Sequence, residues 1–155
     1  MNFIKKPNPW LMIAIAAMFY SYEFFLRVSP SIMTKNLMVD FHISARQVGL
    51  LSSYYFWSYT PMQLFIGVIM DHYKIRILII SAIASCTIGA WLFFSQNGLF
   101  ITGFGRLVIG FGSAFAFVAV LKIAADWLPN KYFSIISGAT TSLGMLGAIS
   151  GEYLL

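Results

Sequence analysis

Charge is what this sequence most lacks. Only 10% of its 155 residues are Asp, Glu, Lys or Arg, whereas a soluble domain carries about 25%. With 59% hydrophobic residues and a mean hydropathy of +0.80, this shortage excludes a water-soluble globular domain and describes a membrane protein in a lipid bilayer. Cysteine is nearly missing too: Cys86 is single and lies in an apolar run, which excludes an internal disulfide framework. His42 and His72 have no Cys, Asp or Glu grouped with them at metal-ligand spacing, so neither a metal nor another cofactor is expected. There is no G-x-x-x-x-G-K-[ST] loop to cradle the phosphates of ATP. A membrane enzyme would need a clustered nucleophile and base, and the Ser, His and Cys residues are too dispersed for that. The net charge is +5, but the basic residues stand singly between apolar runs instead of forming one patch, which argues against a nucleic-acid partner. No stretch is polar enough for a disordered linker, so the chain reads as one continuous bundle.

What is present is a series of apolar runs. A helix of roughly 20 residues crosses a bilayer core of about 30 Å, and about five spans fit: residues 10–35, 47–70, 77–95, 99–125 and 132–155. Lys5 and Lys6 precede the first span and place the amino terminus in the cytoplasm, which puts the carboxyl terminus outside. The first run continues past Glu23 and Arg27 with no small-residue cleavage site, so it is a retained helix and not a signal peptide. Residues 35–46 read as an outer loop with Ser44 as a cap for the next helix. Residues 67–76 read as an inner loop, Gln96-Asn97-Gly98 as an uncharged outer turn, and residues 126–131 as a second inner loop, in which Pro129 stops a helix and Trp127 anchors at the interface.

Helical periodicity then finds stripes. At about 100° per residue, Tyr20, Glu23, Arg27, Ser31 and Thr34 fall within an arc of about 80°, and so do Ser52, Tyr55, Tyr59 and Gln63 in the second span. An ionised side chain facing lipid near the bilayer centre costs at least about 2.5–3.5 kcal/mol, so both stripes must face protein or a watery cavity. Pro30 is placed to bend the first helix beside its stripe. The third span carries only Ser81, Ser85, Cys86 and Thr87 as polar groups and is expected at the lipid-facing periphery. In the fourth, Arg106 shares a face with Gly103, Gly110, Ser113 and Phe117; the fifth carries Gly138, Gly144, Gly147 and Gly151, a close-packing pattern. Glu23 and Arg27, spaced i, i+4, are either a self-neutralising pair or a site in which Arg27 binds an anionic group while Glu23 holds it or takes up a proton. Arg106 is either a cavity charge, the favoured reading, or a packing partner, for example of Glu152. Tyr55, Tyr59 and Gln63 are cavity lining or ordinary helix contacts.

Four local patterns carry a family resemblance, the last of them in part. Gly67, Asp71 and Arg76 match a loop of the form G-x-L-x-D-R-x-G-R-[KR], with His72, Lys74 and Ile75 departing from it. The run Arg106-Leu-Val-Ile-Gly110-Phe-Gly112-Ser-Ala114 looks like R-x-x-x-G-x-G-x-A, and Trp127-Leu-Pro129-Asn-Lys131 looks like W-x-P-x-[KR]. A G-x-x-x-G-P pattern is partly met by Gly147 and Gly151, with Glu152 in the proline position. Together they resemble the major facilitator superfamily. The resemblance implies an all-α membrane protein with a major-facilitator-type helical bundle, here helices one to five of the N-terminal six-helix half, with the C-terminal half absent from the chain. In this family the solute site lies between two such halves near the midplane. It also implies a secondary active transporter working by alternating access in a bacterial-type inner membrane; with Arg27 in the polar stripe, the expected solute is small, polar, organic and anionic. Sugar and dipeptide are alternative substrates, and protons a coupling partner. Tyr20, Glu23, Arg27, Tyr55, Tyr59, Gln63 and Arg106 are the candidate solute or coupling residues. Gly67, Asp71, Lys74, Arg76 and Asp126 form the implied gate, in which Asp71 meets the other half and Arg76 pairs with Asp126. With half a cavity, a non-transporting remnant or subunit is the competing expectation.

Overall fold

In the computed structural model, residues 8–95 and 98–154 are described; the topology signal of Lys5 and Lys6 and most of the turn at Gln96 and Asn97 lie outside them. Helix α1 spans Pro9–Ile32. It starts where Pro9 occupies the first turn, which has no use for its missing N–H, and where the Asn8 side chain accepts a hydrogen bond from the Trp10 N–H at 3.1 Å. The chain turns at Met33 and resumes as α2, Thr34–Asp40. Most of the expected outer loop is therefore helical, and the true connection is residues 41–44, where His42 takes a left-handed φ of 51°. Helix α3, Ala45–His72, begins at Ser44, whose N–H donates to the Gln47 side chain at 2.9 Å.

The expected inner loop also shrinks. Gly67 and Asp71 both belong to α3, and only Tyr73 and Lys74 separate it from α4, Ile75–Phe94. Helix α5 spans Leu99–Trp127, a 3₁₀ turn covers Asn130–Tyr132, and α6 spans Phe133–Leu154. Four stretches, Pro9–Ile32, Ile75–Phe94, Leu99–Trp127 and Asn130–Leu154, are long and apolar enough to cross a membrane. Helix α3 has the length for a fifth crossing with 28 residues, but its three tyrosines, three serines and two glutamines lower its apolarity.

Helix α5 occupies the centre and packs against α3, α4, α1 and α6, while α1 packs mostly on α6. Lipid tails give apolar helices no hydrophobic reason to associate, so close backbone approach through small residues holds the bundle. Gly89 and Gly105 meet across α4 and α5: a Cβ on Gly105 would lie 2.7 Å from the Gly89 carbonyl oxygen. Gly112 is set as tightly on Ala82, Gly110 on the Tyr55 carbonyl of α3, and Gly147 on the Ser21 carbonyl of α1. Helix α4 leans chiefly on α5 and turns Ile77, Ile80, Ile88 and Trp91 outward, a surface suited to lipid.

Candidate functional site

The stripes of α1 and α3 meet beside α5. Glu23 is fully buried; its Oε1 accepts from Arg27 Nε at 3.0 Å and from the Tyr55 hydroxyl at 2.5 Å. The same hydroxyl accepts from Arg27 Nε and Nη2 at 3.1 and 3.0 Å. Tyr55 thus closes a triangle between a carboxylate and a guanidinium one turn apart on the neighbouring helix. Arg27 remains 24% exposed, and among the described residues its Nη1 makes no hydrogen bond. Aromatic faces surround its cation: Phe24 at 4.7 Å, Tyr59 at 5.0 Å and Tyr55 at 5.3 Å. The rings of Tyr59 and Tyr55 stack at 5.4 Å. The Nε and Nη2 edge of the guanidinium is therefore fixed, while Nη1 carries no hydrogen bond among the described residues.

The other candidates fall in different places. Tyr20 contacts the rings of Phe24 and Phe117 and lies against Gly144, joining α1, α5 and α6 outside the hydrogen-bonded triangle. Gln63 donates to the Ala114 carbonyl of α5 at 3.4 Å, a helix contact. Arg106 does not line a cavity, which corrects the favoured expectation. It is 1% exposed, its Nη1 and Nη2 donate to the carbonyls of Leu26 and Arg27 at 2.7 and 3.3 Å, and its cation faces Tyr55 and Phe93. Nor does it pair with Glu152, which is exposed near the end of α6. Two guanidiniums and one carboxylate nevertheless sit close together, a local excess of positive charge. Glu23 Oε2 and Arg106 Nε are buried without a hydrogen-bond partner among the described residues. An apolar groove of about 690 Å³ lies between α3 and α5, bounded by Leu50, Tyr54, Phe100 and Phe104; no member of the triangle lines it.

The implied gate is rewired. Lys122 Nζ on α5 reaches Asp71 Oδ1 at 2.8 Å and Asp126 Oδ2 at 3.3 Å. Arg76 does not pair with Asp126 as expected: it opens α4 on an exposed face, while Lys122 stands one turn before Asp126 on the same helix and reaches across to α3. Lys74 lies in the two-residue link and is exposed. The hydrogen bond from Lys122, and then its charge, hold the Asp71 carboxyl below the usual carboxylate range. At Gly67 a Cβ would meet nothing within 4 Å. Lys122 was missed as a candidate although the sequence carried a signal for it: it is a lone lysine in an apolar run, spaced i, i+4 from Asp126.

Long apolar helices joined through glycines around a buried ion network define an all-α integral membrane bundle. The chain belongs to the major facilitator superfamily, whose family model matches residues 10–155. It is also 30% identical over 160 residues to a protein of Bacillus subtilis (strain 168) described as the uncharacterized transporter YybO; the match covers 98% of this chain and 35% of that relative. The resemblance carried by Asp71, by Arg106 to Ala114 and by Trp127 to Lys131 therefore extends to nearly the whole chain.

Proposed function

We propose that the chain forms the first-half bundle of a secondary active transporter that binds a small anionic organic solute at Arg27 and moves it by alternating access, with its amino terminus cytoplasmic. The observation that carries this reading is the partly exposed guanidinium of Arg27, held along one edge only. Glu23 and Tyr55 hold its Nε edge, aromatic faces surround it, and Nη1 is left for a ligand. A planar guanidinium held in this way suits a carboxylate or phosphate. Glu23 then has two tasks, to orient Arg27 and to exchange a proton at the oxygen that has no partner.

The reading is tested by ligand-induced stabilisation of the purified full-length protein in detergent, with a panel of monocarboxylates and phosphate monoesters against neutral sugars and dipeptides. An anion is expected to raise the melting temperature. Arg27→Gln should weaken that response by at least about 10-fold in concentration, the equivalent of about 1.4 kcal/mol. Stabilisation by neutral solutes alone, or by anions equally in Arg27→Gln, would reject the site.

A further inference from the structure

Pro30 lies inside α1, two residues before its end, and is buried. In a helix each carbonyl accepts from the N–H four residues on; proline has no N–H, so the Leu26 carbonyl loses its helical donor. A bare carbonyl inside a membrane bundle is strongly disfavoured. Here both lone pairs of the Leu26 oxygen are used. Ser29 Oγ donates at 2.8 Å from the same helix, and Arg106 Nη1 at 2.7 Å from α5. Arg106 Nη2 continues to the next carbonyl, that of Arg27, at 3.3 Å. These carbonyls belong to the last turns of α1, where the helix dipole favours a cation. The other proline inside a helix, Pro61, is exposed on α3, and among the described residues no side chain donates to the Trp57 carbonyl that it frees.

We infer that Arg106 is a positioning residue that replaces the N–H missing at Pro30, tying the broken end of α1 to α5 and fixing the backbone from which Arg27 projects. An arginine is needed because its planar fork spans two successive carbonyls, which the point charge of a lysine does not. The tie itself is independent of function; its consequence for solute affinity rests on the proposed anion site.

Leu26–Arg27 is the only Leu-Arg step in the 155 residues. In the chain reconstituted in lipid bilayers, labelling with carbonyl-¹³C leucine and ¹⁵N arginine therefore gives one inter-residue NMR correlation, which reports the Leu26 carbonyl alone. Arg106→Met is expected to move that carbonyl resonance upfield and to lower the unfolding midpoint. Adding Pro30→Ala returns an N–H to position 30 and should bring the resonance back and recover most of the midpoint. Adding Pro61→Ala should recover neither. A wild-type resonance in Arg106→Met, or no rescue by Pro30→Ala, overturns the inference. Should Arg106→Met not fold, the same comparisons are made on Arg106→Lys, which keeps the charge and loses the fork. All readouts are taken without solute, so failure of the anion-binding proposal leaves them unchanged.

Discussion

The two carboxyl oxygens of Glu23 sit in different surroundings. Oε1 takes both hydrogen bonds, from Arg27 and Tyr55, while Oε2 is buried without a partner. An oxygen in that position can receive a proton without breaking the bonds that hold Arg27. Glu23→Gln keeps an acceptor of similar shape but cannot gain or lose a proton. On the proposed function, uptake driven by a pH gradient is expected to disappear in Glu23→Gln while solute exchange at equal pH persists. Proteoliposomes loaded with labelled solute measure both, and unchanged pH dependence would remove the proton role. Glu23 and Arg27 could be read as a pair from their spacing on one helix. Tyr55 could be assigned only to a stripe, because its hydroxyl reaches the pair from 32 residues away in sequence.

At the scale of elements, the glycines divide into contacts and bystanders. Gly110 seats the Tyr55 backbone directly against α5, so the residue that closes the triangle is placed by a glycine on another helix. A Cβ there collides with a carbonyl group that cannot rotate away. Gly110→Ala is expected to destabilise the bundle by about 1–3 kcal/mol through overpacking. Gly138, with nothing within 4 Å of a Cβ, is the control: alanine should be neutral or stabilising by up to about 1 kcal/mol from helix propensity. Unfolding in mixed micelles, monitored by tryptophan fluorescence, separates the two; equal effects would mean that the close approach at Gly110 does not hold α3 in place. The pattern of small residues was visible in the chain, but which glycine meets which helix was not, since Gly103, Gly110 and Gly138 look alike in sequence.

At the scale of the whole molecule, the Lys122 bridge joins α3 to α5 at one end of the bundle, away from the triangle. Because the Asp71 carboxyl is held below its ordinary range, the contribution of the bridge is fully present above the unfolded carboxyl range and is lost as pH falls through the lowered folded value. Asp71→Asn should remove that part of the acid dependence of stability, read from unfolding midpoints across the acid range. Exposed ion pairs are weak, yet a two-state rocking equilibrium responds to small biases. On the proposed function, Asp71→Asn is expected to slow transport while leaving solute binding intact; a parallel loss of both would reject the gate.

The sequence by itself determined the membrane character, the long helices and the stripe bearing Glu23 and Arg27, because composition and the 3.6-residue period are local properties. The tertiary structure decided that Tyr55 closes the ion pair, that Arg106 turns to the carbonyls beside Pro30 instead of a cavity, and that Lys122 replaces Arg76 as the partner of Asp126. Each depends on how one helix is rotated and how closely it approaches another. Those quantities are set by backbone contacts at Gly89, Gly105, Gly110 and Gly147, and a period along one helix carries no information about them.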